Sequence, residues 1–236
     1  MISYIIPALN EEGSIGNVID KIRAIDKDGQ IIVVDSNSTD RTAEIVLSLG
    51  ATLVNEDKLG YGNAYKKGFS VAKGGIIATL DADGTYPPNE IPRMLEYLDK
   101  GYDFISGERL SQSSKEAMSL QHLIGNKILN IFTRVLFMVD IRDSQSGMWL
   151  FRREIMQSIL PRGAGMEFSE EIKIRAATGF CYKEIPIYYD RRMGEKKLRP
   201  WKDGITNLLF LLKLRIRSGI RTRSFRCSRS SGQSGR

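Results

Sequence analysis

Short apolar runs alternate with stretches of helical periodicity along the first third of the chain. Ile2-Ser3-Tyr4-Ile5-Ile6 and Gln30-Ile31-Ile32-Val33-Val34 read as short buried strands, each bounded by polar residues. Between them Ile15, Val18, Ile19 and Ile22 recur at the spacing of an amphipathic helix, from about Ser14 to Ile25, which makes a βαβ unit. A second helix is predicted from Thr39 to Leu49, stopping at Gly50, and a third from about Asn63 to Ala72, stopping at Gly74-Gly75. Ile76-Ile77-Ala78-Thr79-Leu80 supplies another strand and Phe104-Ile105-Ser106 a later one. Alternating strands and helices predict an α/β fold, a mostly parallel sheet covered on both faces. Ligands of such sheets gather at the carboxyl ends of the strands. Polar clusters fall there: Asn10-Glu11-Glu12, Asp35-Ser36-Asn37-Ser38-Thr39-Asp40 and Asp81-Ala82-Asp83-Gly84.

Beyond about residue 110 the pattern changes. Leu120 to Val139 is helical and apolar around much of its circumference, so it needs cover from protein or lipid. From Ile205 to Ile220, Leu208, Leu209, Leu211, Leu212 and Leu214 mix with Lys213, Arg215 and Arg217, the pattern of a helix lying on an anionic membrane surface. Ordinary core packing of that helix is the alternative. The last residues are rich in Arg, Ser and Gly, and disorder is expected there. The chain thus divides into a domain over 1–204, an amphipathic helix over 205–220 and a basic tail over 221–236.

Composition narrows the picture. With 236 residues, 42% of them hydrophobic, the chain can bury the core of one ample domain. The net charge of +7 calls for an anionic partner, and the cations crowd into the last third, which places a local basic patch there. Nucleic acid is not the expected partner, because the basic tail has no interleaved aromatics apart from Phe225. Cys181 and Cys227 are far apart in sequence, so no disulfide is expected, and a reducing, cytoplasmic setting fits. The amino terminus lacks the pattern of a signal peptide, and the longest apolar run, Ile205 to Leu214, is about half of what spans a bilayer. His122 is the only histidine, so any metal must be held by oxygens.

Asp81 and Asp83, one residue apart at a strand's end, can both reach a single divalent cation, and oxygen-only ligation suits Mg²⁺ or Mn²⁺. The same residues followed by Gly84-Thr85-Tyr86-Pro87-Pro88 also read as a turn. Their company decides between these readings. Ile6-Pro7-Ala8-Leu9-Asn10-Glu11-Glu12, Val33 to Asp40, Gly60-Tyr61-Gly62-Asn63-Ala64, Asp81 to Pro88, and Arg192-Met193-Gly194-Glu195-Lys196-Lys197-Leu198 occur in that order. With them the chain resembles the family 2 glycosyltransferases of GT-A fold, most closely the dolichyl-phosphate and polyprenyl-phosphate sugar synthases that handle mannose, glucose or N-acetylglucosamine.

The resemblance implies roles for individual residues. Pro7, Asn10, Glu12 and Asp35 would surround the nucleoside, with Asp81 and Ala82 on the nucleotide-sugar side. Asp83 would be the principal metal ligand, with Asp81 sharing the cation. Thr85 stands where several relatives have a metal-assisting glutamine, and Ser36-Asn37 replaces the commoner Asp-Gly. Arg109 would face the acceptor phosphate, Asp143 and Gln145 would hold sugar hydroxyls, and Arg192 with Lys197 would close over the donor diphosphate. The resemblance implies an inverting single displacement from a nucleotide-sugar, a UDP-sugar favoured over GDP-mannose, to a polyprenyl or dolichyl phosphate on the cytoplasmic face of a membrane. A lipid phosphate is already ionised and needs no general base. A soluble transferase with a small hydroxyl acceptor and a sugar nucleotidyltransferase are the competing readings.

Overall fold

A computed structural model of the chain describes residues 1–111, 120–192, 200–217 and 227. The basic tail, apart from residue 227, and Lys197 lie outside the described residues. Strands β1 (Ile2–Ala8), β2 (Gln30–Asp35), β3 (Thr52–Asn55), β4 (Ile76–Thr79), β5 (Phe104–Glu108), β6 (Trp149–Arg152) and β7 (Tyr182–Pro186) form one sheet in the order β3-β2-β1-β4-β6-β5-β7. All pairings are parallel except those of β6, which runs antiparallel to both β4 and β5. This is the mostly parallel α/β sheet that the alternation of elements predicts.

Both faces are covered. Helices α1 (Ile15–Ile25), α2 (Thr42–Ser48) and α4 (Ile91–Asp99) bury Ile15, Ile22, Val46 and Met94 against Tyr4, Ile6 and Val33 on one side. Helices α3 (Tyr61–Val71), α6 (Met156–Ile159) and α7 (Glu167–Gly179) bury Tyr65, Phe69, Ile159 and Phe168 against Ile5, Ile32 and Val34 on the other. Successive residues of β1 and β2 thus enter different cores, the reason those strands read as unbroken apolar runs. A Cβ at Gly68 of α3 would come within 2.4 Å of Ile5 Cγ2, so α3 lies close on β1 because that residue has no side chain.

Helices α5 (Leu120–Phe137) and α8 (Pro200–Arg217) stand apart from the sheet. They pack on each other and on α7 through Leu129, Phe137, Ile174, Leu211 and Leu214. Sequence and structure differ at two places here. Helix α2 begins at Thr42 rather than Thr39, and its first turn is capped by Asp40, whose Oδ1 accepts from the Thr42 amide at 3.0 Å and hydroxyl at 2.5 Å. The cysteines, expected to be unpaired, form a disulfide, Cys181–Cys227, with their Cα atoms 5.2 Å apart. Sequence distance was a poor guide, because a chain separation of 46 positions still returns Cys227 to the start of β7. The reducing setting inferred from unpaired cysteines loses that support.

Candidate active site

The carboxyl ends of β1, β2, β4 and β5 open on the same edge of the sheet, and their loops carry most of the residues singled out in the sequence. After β1, Asn10 adopts a left-handed conformation (φ 50°), a turn that asparagine tolerates. Its Oδ1 accepts from the Thr39 amide at 2.8 Å, and its own amide donates to Ser38 Oγ at 2.9 Å. Ser38 in turn donates its amide, at 3.1 Å, and its hydroxyl to the Asp35 carboxylate at the end of β2. Glu12 accepts from the Arg41 amide at 3.0 Å and pairs with its guanidinium. Loops about 30 residues apart are thus stitched into one wall of a cleft, with Pro7 half-buried behind it. Asn10 and Asp35 meet through Ser38, whereas Glu12 faces Arg41.

Asp81 and Asp83 follow β4. Asp83 is buried, and its Oδ1 accepts from both the amide (3.0 Å) and the hydroxyl (2.6 Å) of Thr85. Thr85 therefore orients Asp83. Asp83 Oδ2 lies 3.2 Å from Arg192, whose other terminal nitrogen is 2.8 Å from Glu11 Oε1. One guanidinium thus spans the carboxylates of the β1 and β4 loops, although 181 residues separate Arg192 from Glu11. The Tyr61 hydroxyl donates to Asp81 Oδ1 at 3.4 Å, and Ala82 is buried between the two aspartates. Burial and the neighbouring charge of Asp83 push Asp81 up to about 7, against the opposing pull of Arg109 and Arg192. Two adjacent carboxylates partly neutralised by arginine fit a hard divalent cation. Among the described residues no group of three or more His, Cys, Asp or Glu side chains is placed to hold a metal ion.

The other wall comes from β5 and the loop entering β6. Arg109 and Asp143, both buried, form a bidentate pair: Nε and Nη2 donate to the two carboxylate oxygens at 2.7 and 2.8 Å, and the Arg109 amide adds a bond of 3.0 Å. The guanidinium also stacks over Tyr189 at 5.2 Å. Asp143 has no exposed surface left for a sugar hydroxyl; it orients the arginine. Gln145 is partly exposed and accepts from Asn207 Nδ2 of α8 at 3.2 Å. Behind the loop the fully buried ammonium of Lys173 donates to the carbonyls of Asp143 (2.6 Å) and Ser146 (2.8 Å). Burial pushes Lys173 down to about 7, against the attraction of Asp143 and Glu184. It pushes the Glu170 carboxyl of α7 up to about 8. A Cβ at Gly147 would lie 2.3 Å from the Tyr61 hydroxyl and 3.4 Å from Asp81 Oδ1, so this loop closes directly on the carboxylate pair.

The structure therefore brings together Asp81, Ala82, Asp83, Arg109 and Arg192, with Asn10 and Asp35 in the adjoining loops, whereas Gln145 turns to Asn207 of α8. Glu11, Tyr61, Gly147, Lys173 and Tyr189 were not singled out individually. Glu11 and Tyr61 lie inside quoted motifs, which was their only signal; Lys173 looks like any helical lysine until its burial is seen.

Residues 3–160 match the family described as glycosyl transferase family 2. Over 218 residues the chain is 36% identical to the low-salt glycan biosynthesis hexosyltransferase Agl6 of Haloferax volcanii, covering 89% of this chain and 53% of that protein. It is 32% identical over 206 residues to the dolichyl-phosphate hexose transferase of the same organism, covering 86% and 89%. Identity to the undecaprenyl-phosphate 4-deoxy-4-formamido-L-arabinose transferase of Pectobacterium atrosepticum is 33%, covering 83% and 62%. The chain thus spans about half of the first relative and nearly all of the second. Among solved structures, glucosyl-3-phosphoglycerate synthase of Mycobacterium tuberculosis, in complex with Mn²⁺, UDP-glucose and glycerol 3-phosphate, shares the fold with a TM-score of 0.69 at 22% identity, covering 91% and 79%.

Proposed function

Since the chain belongs to glycosyl transferase family 2, we propose that it moves a hexose or N-acetylhexosamine from a nucleotide-sugar to a polyprenyl or dolichyl phosphate, with inversion, at the cytoplasmic face of a membrane. The observation that carries the chemistry is the Asp81–Asp83 pair with Arg192 in contact with Asp83 and the charge of Arg109 close by. The names of the relatives support the acceptor class.

Asn10, Asp35 and Pro7 would form the nucleoside wall, and a UDP-sugar is favoured as donor. Asp81 and Asp83 would hold Mg²⁺ or Mn²⁺, which supplies positive charge to the leaving diphosphate. Arg192 leaves its carboxylate partners to meet that diphosphate, and Lys197 joins it. Arg109, held flat by Asp143 and Tyr189, presents a guanidinium to the acceptor phosphate, whose oxygens match its planar fork. Gln145 holds a sugar hydroxyl. The ionised phosphate attacks without a base.

Support for the membrane comes from the outer faces of α5 and α8. Ile124, Ile128, Ile131 and Val135 of α5 and Leu209, Leu212 and Ile216 of α8 are exposed, Val135 at 71% and Ile216 at 84%. Lys127, Arg134, Lys213 and Arg215 are exposed beside them. An apolar stripe flanked by cations suits anionic headgroups. No helix among the described residues is long and apolar enough to cross a membrane. The test is a panel of nucleotide-sugars with polyprenyl phosphate in vesicles, with and without chelator. One donor should yield a chelator-sensitive glycolipid and a nucleoside diphosphate. No glycolipid with any donor sinks the proposal; release of inorganic diphosphate points to a nucleotidyltransferase.

A further inference from the structure

Helices α5 and α8 each have a second, polar inner face. Asn130 of α5 is buried; its Oδ1 accepts from the Ser144 amide at 2.8 Å and its Nδ2 donates to the Arg142 carbonyl. Thr133, one turn on, donates to Glu170 Oε1 at 3.1 Å. Asn207 of α8, also buried, donates to Gln145. The two helices therefore grip one segment, residues 142–145, from two sides. That segment carries Asp143, which aims Arg109, and Gln145. The same helices turn their apolar stripes outward.

From this we infer that Asn130 and Asn207 are positioning residues that couple seating of α5 and α8 on a lipid surface to the geometry of the acceptor side. The inference rests on the membrane reading above. Both stripes can enter one lipid surface together only while the helices keep a fixed relative placement. In the present placement both asparagines reach the 142–145 segment. A surface that binds this arrangement better than a looser one must, by linkage, populate it. The nucleoside wall would be built on β1, β2 and α2, which neither asparagine touches, so the effect falls on the acceptor and on the sugar contact of Gln145, not on the nucleotide.

The test uses the full chain, a short prenyl phosphate too small to partition into vesicles, and anionic phospholipid vesicles lacking any acceptor. Measurements are vesicle co-sedimentation, KM for acceptor, and amide exchange over residues 142–146, in the wild type, Asn130→Ala and Asn207→Ala. In the wild type vesicles should lower the acceptor KM about fivefold or more and slow exchange of the segment. Both variants should bind vesicles as the wild type does and lose the drop in KM and the protection. Wild-type chain that ignores vesicles overturns the membrane reading and the coupling with it. Binding without either change overturns the coupling alone, and changes that persist in both variants overturn the assignment to these asparagines. Since amide exchange is read without turnover, a poor short-chain acceptor leaves the test intact.

Discussion

Removing one member of the Arg109–Asp143 pair should cost far more than removing both in proportion. Asp143 is fully buried, Arg109 nearly so, and three hydrogen bonds of 2.7–3.0 Å join them. Asp143→Ala leaves a buried guanidinium without its counter-ion, an expected loss of about 3–5 kcal/mol. At about 2–4 °C per kcal/mol for a domain of this size, that lowers Tm by roughly 6–20 °C. Arg109→Met should cost a similar amount, and the double variant less than the sum by about 2–3 kcal/mol, since it strands no charge. Burial alone would raise the Asp143 carboxyl, but the charge and hydrogen bonds of Arg109 outweigh it and hold it below the ordinary carboxylate value. A depressed folded pKa gives stability that is complete above the unfolded value of about 3.9 and lost as pH falls through the folded one. The gap between wild type and Asp143→Asn should therefore close in acid. Urea and thermal unfolding of the five proteins at neutral and acid pH measure all of this. An additive cycle, or a loss below about 1 kcal/mol for Asp143→Ala, refutes the reasoning.

Asp83→Ala should lower kcat/KM by at least about a hundredfold and abolish Mn²⁺ binding; undiminished activity refutes the metal assignment. Arg192→Met frees Asp83 and Glu11 of their counter-ion, so nucleotide-free chain should bind Mn²⁺ more tightly by electron paramagnetic resonance while turnover falls; weaker Mn²⁺ binding counts against the bridge. Gly147→Ala drives a methyl into the Tyr61 hydroxyl, and overpacking of about 1–3 kcal/mol should reduce kcat/KM by about ten- to a hundredfold, with wild-type kinetics the contrary result. Burial raises Glu170 to about 8, so the folded state holds a proton that the unfolded state releases above about 4.3, and stability declines as pH climbs through that window. Glu170→Gln should thus gain in Tm over wild type from pH 5 to pH 8; a constant difference would show that Glu170 does not titrate there.

Much of the fold can be read from the chain because β1, β2 and β4 are buried on both faces and so appear as solid apolar runs. Strand β3 escapes notice because Thr52 and Asn55 at its ends are exposed and only Leu53 and Val54 are half-buried, the mark of an edge. Strand β7 mixes Lys183 and Glu184 with Ile185, and no period stands out. The carboxylate pair is legible because both members fall within four residues of a strand's end. The Glu11–Arg192 bridge and the disulfide Cys181–Cys227 depend on where the chain returns after long excursions, and local patterns hold no record of that.

The reversed direction of β6 has a consequence for how such a cleft can diversify. Because β6 enters the sheet between two strands of opposite direction, the segment 143–148 arrives at the edge where β4 and β5 depart. Three stretches of chain meet there, and one of them, reached only after the long detour through α5, owes nothing to β1 and β2. The site is thus assembled from two stretches of chain, residues 1–84 on one side and residues 109–148 with α8 on the other. Exchange of the second stretch between relatives should transplant acceptor preference while leaving the recipient's nucleotide preference in place.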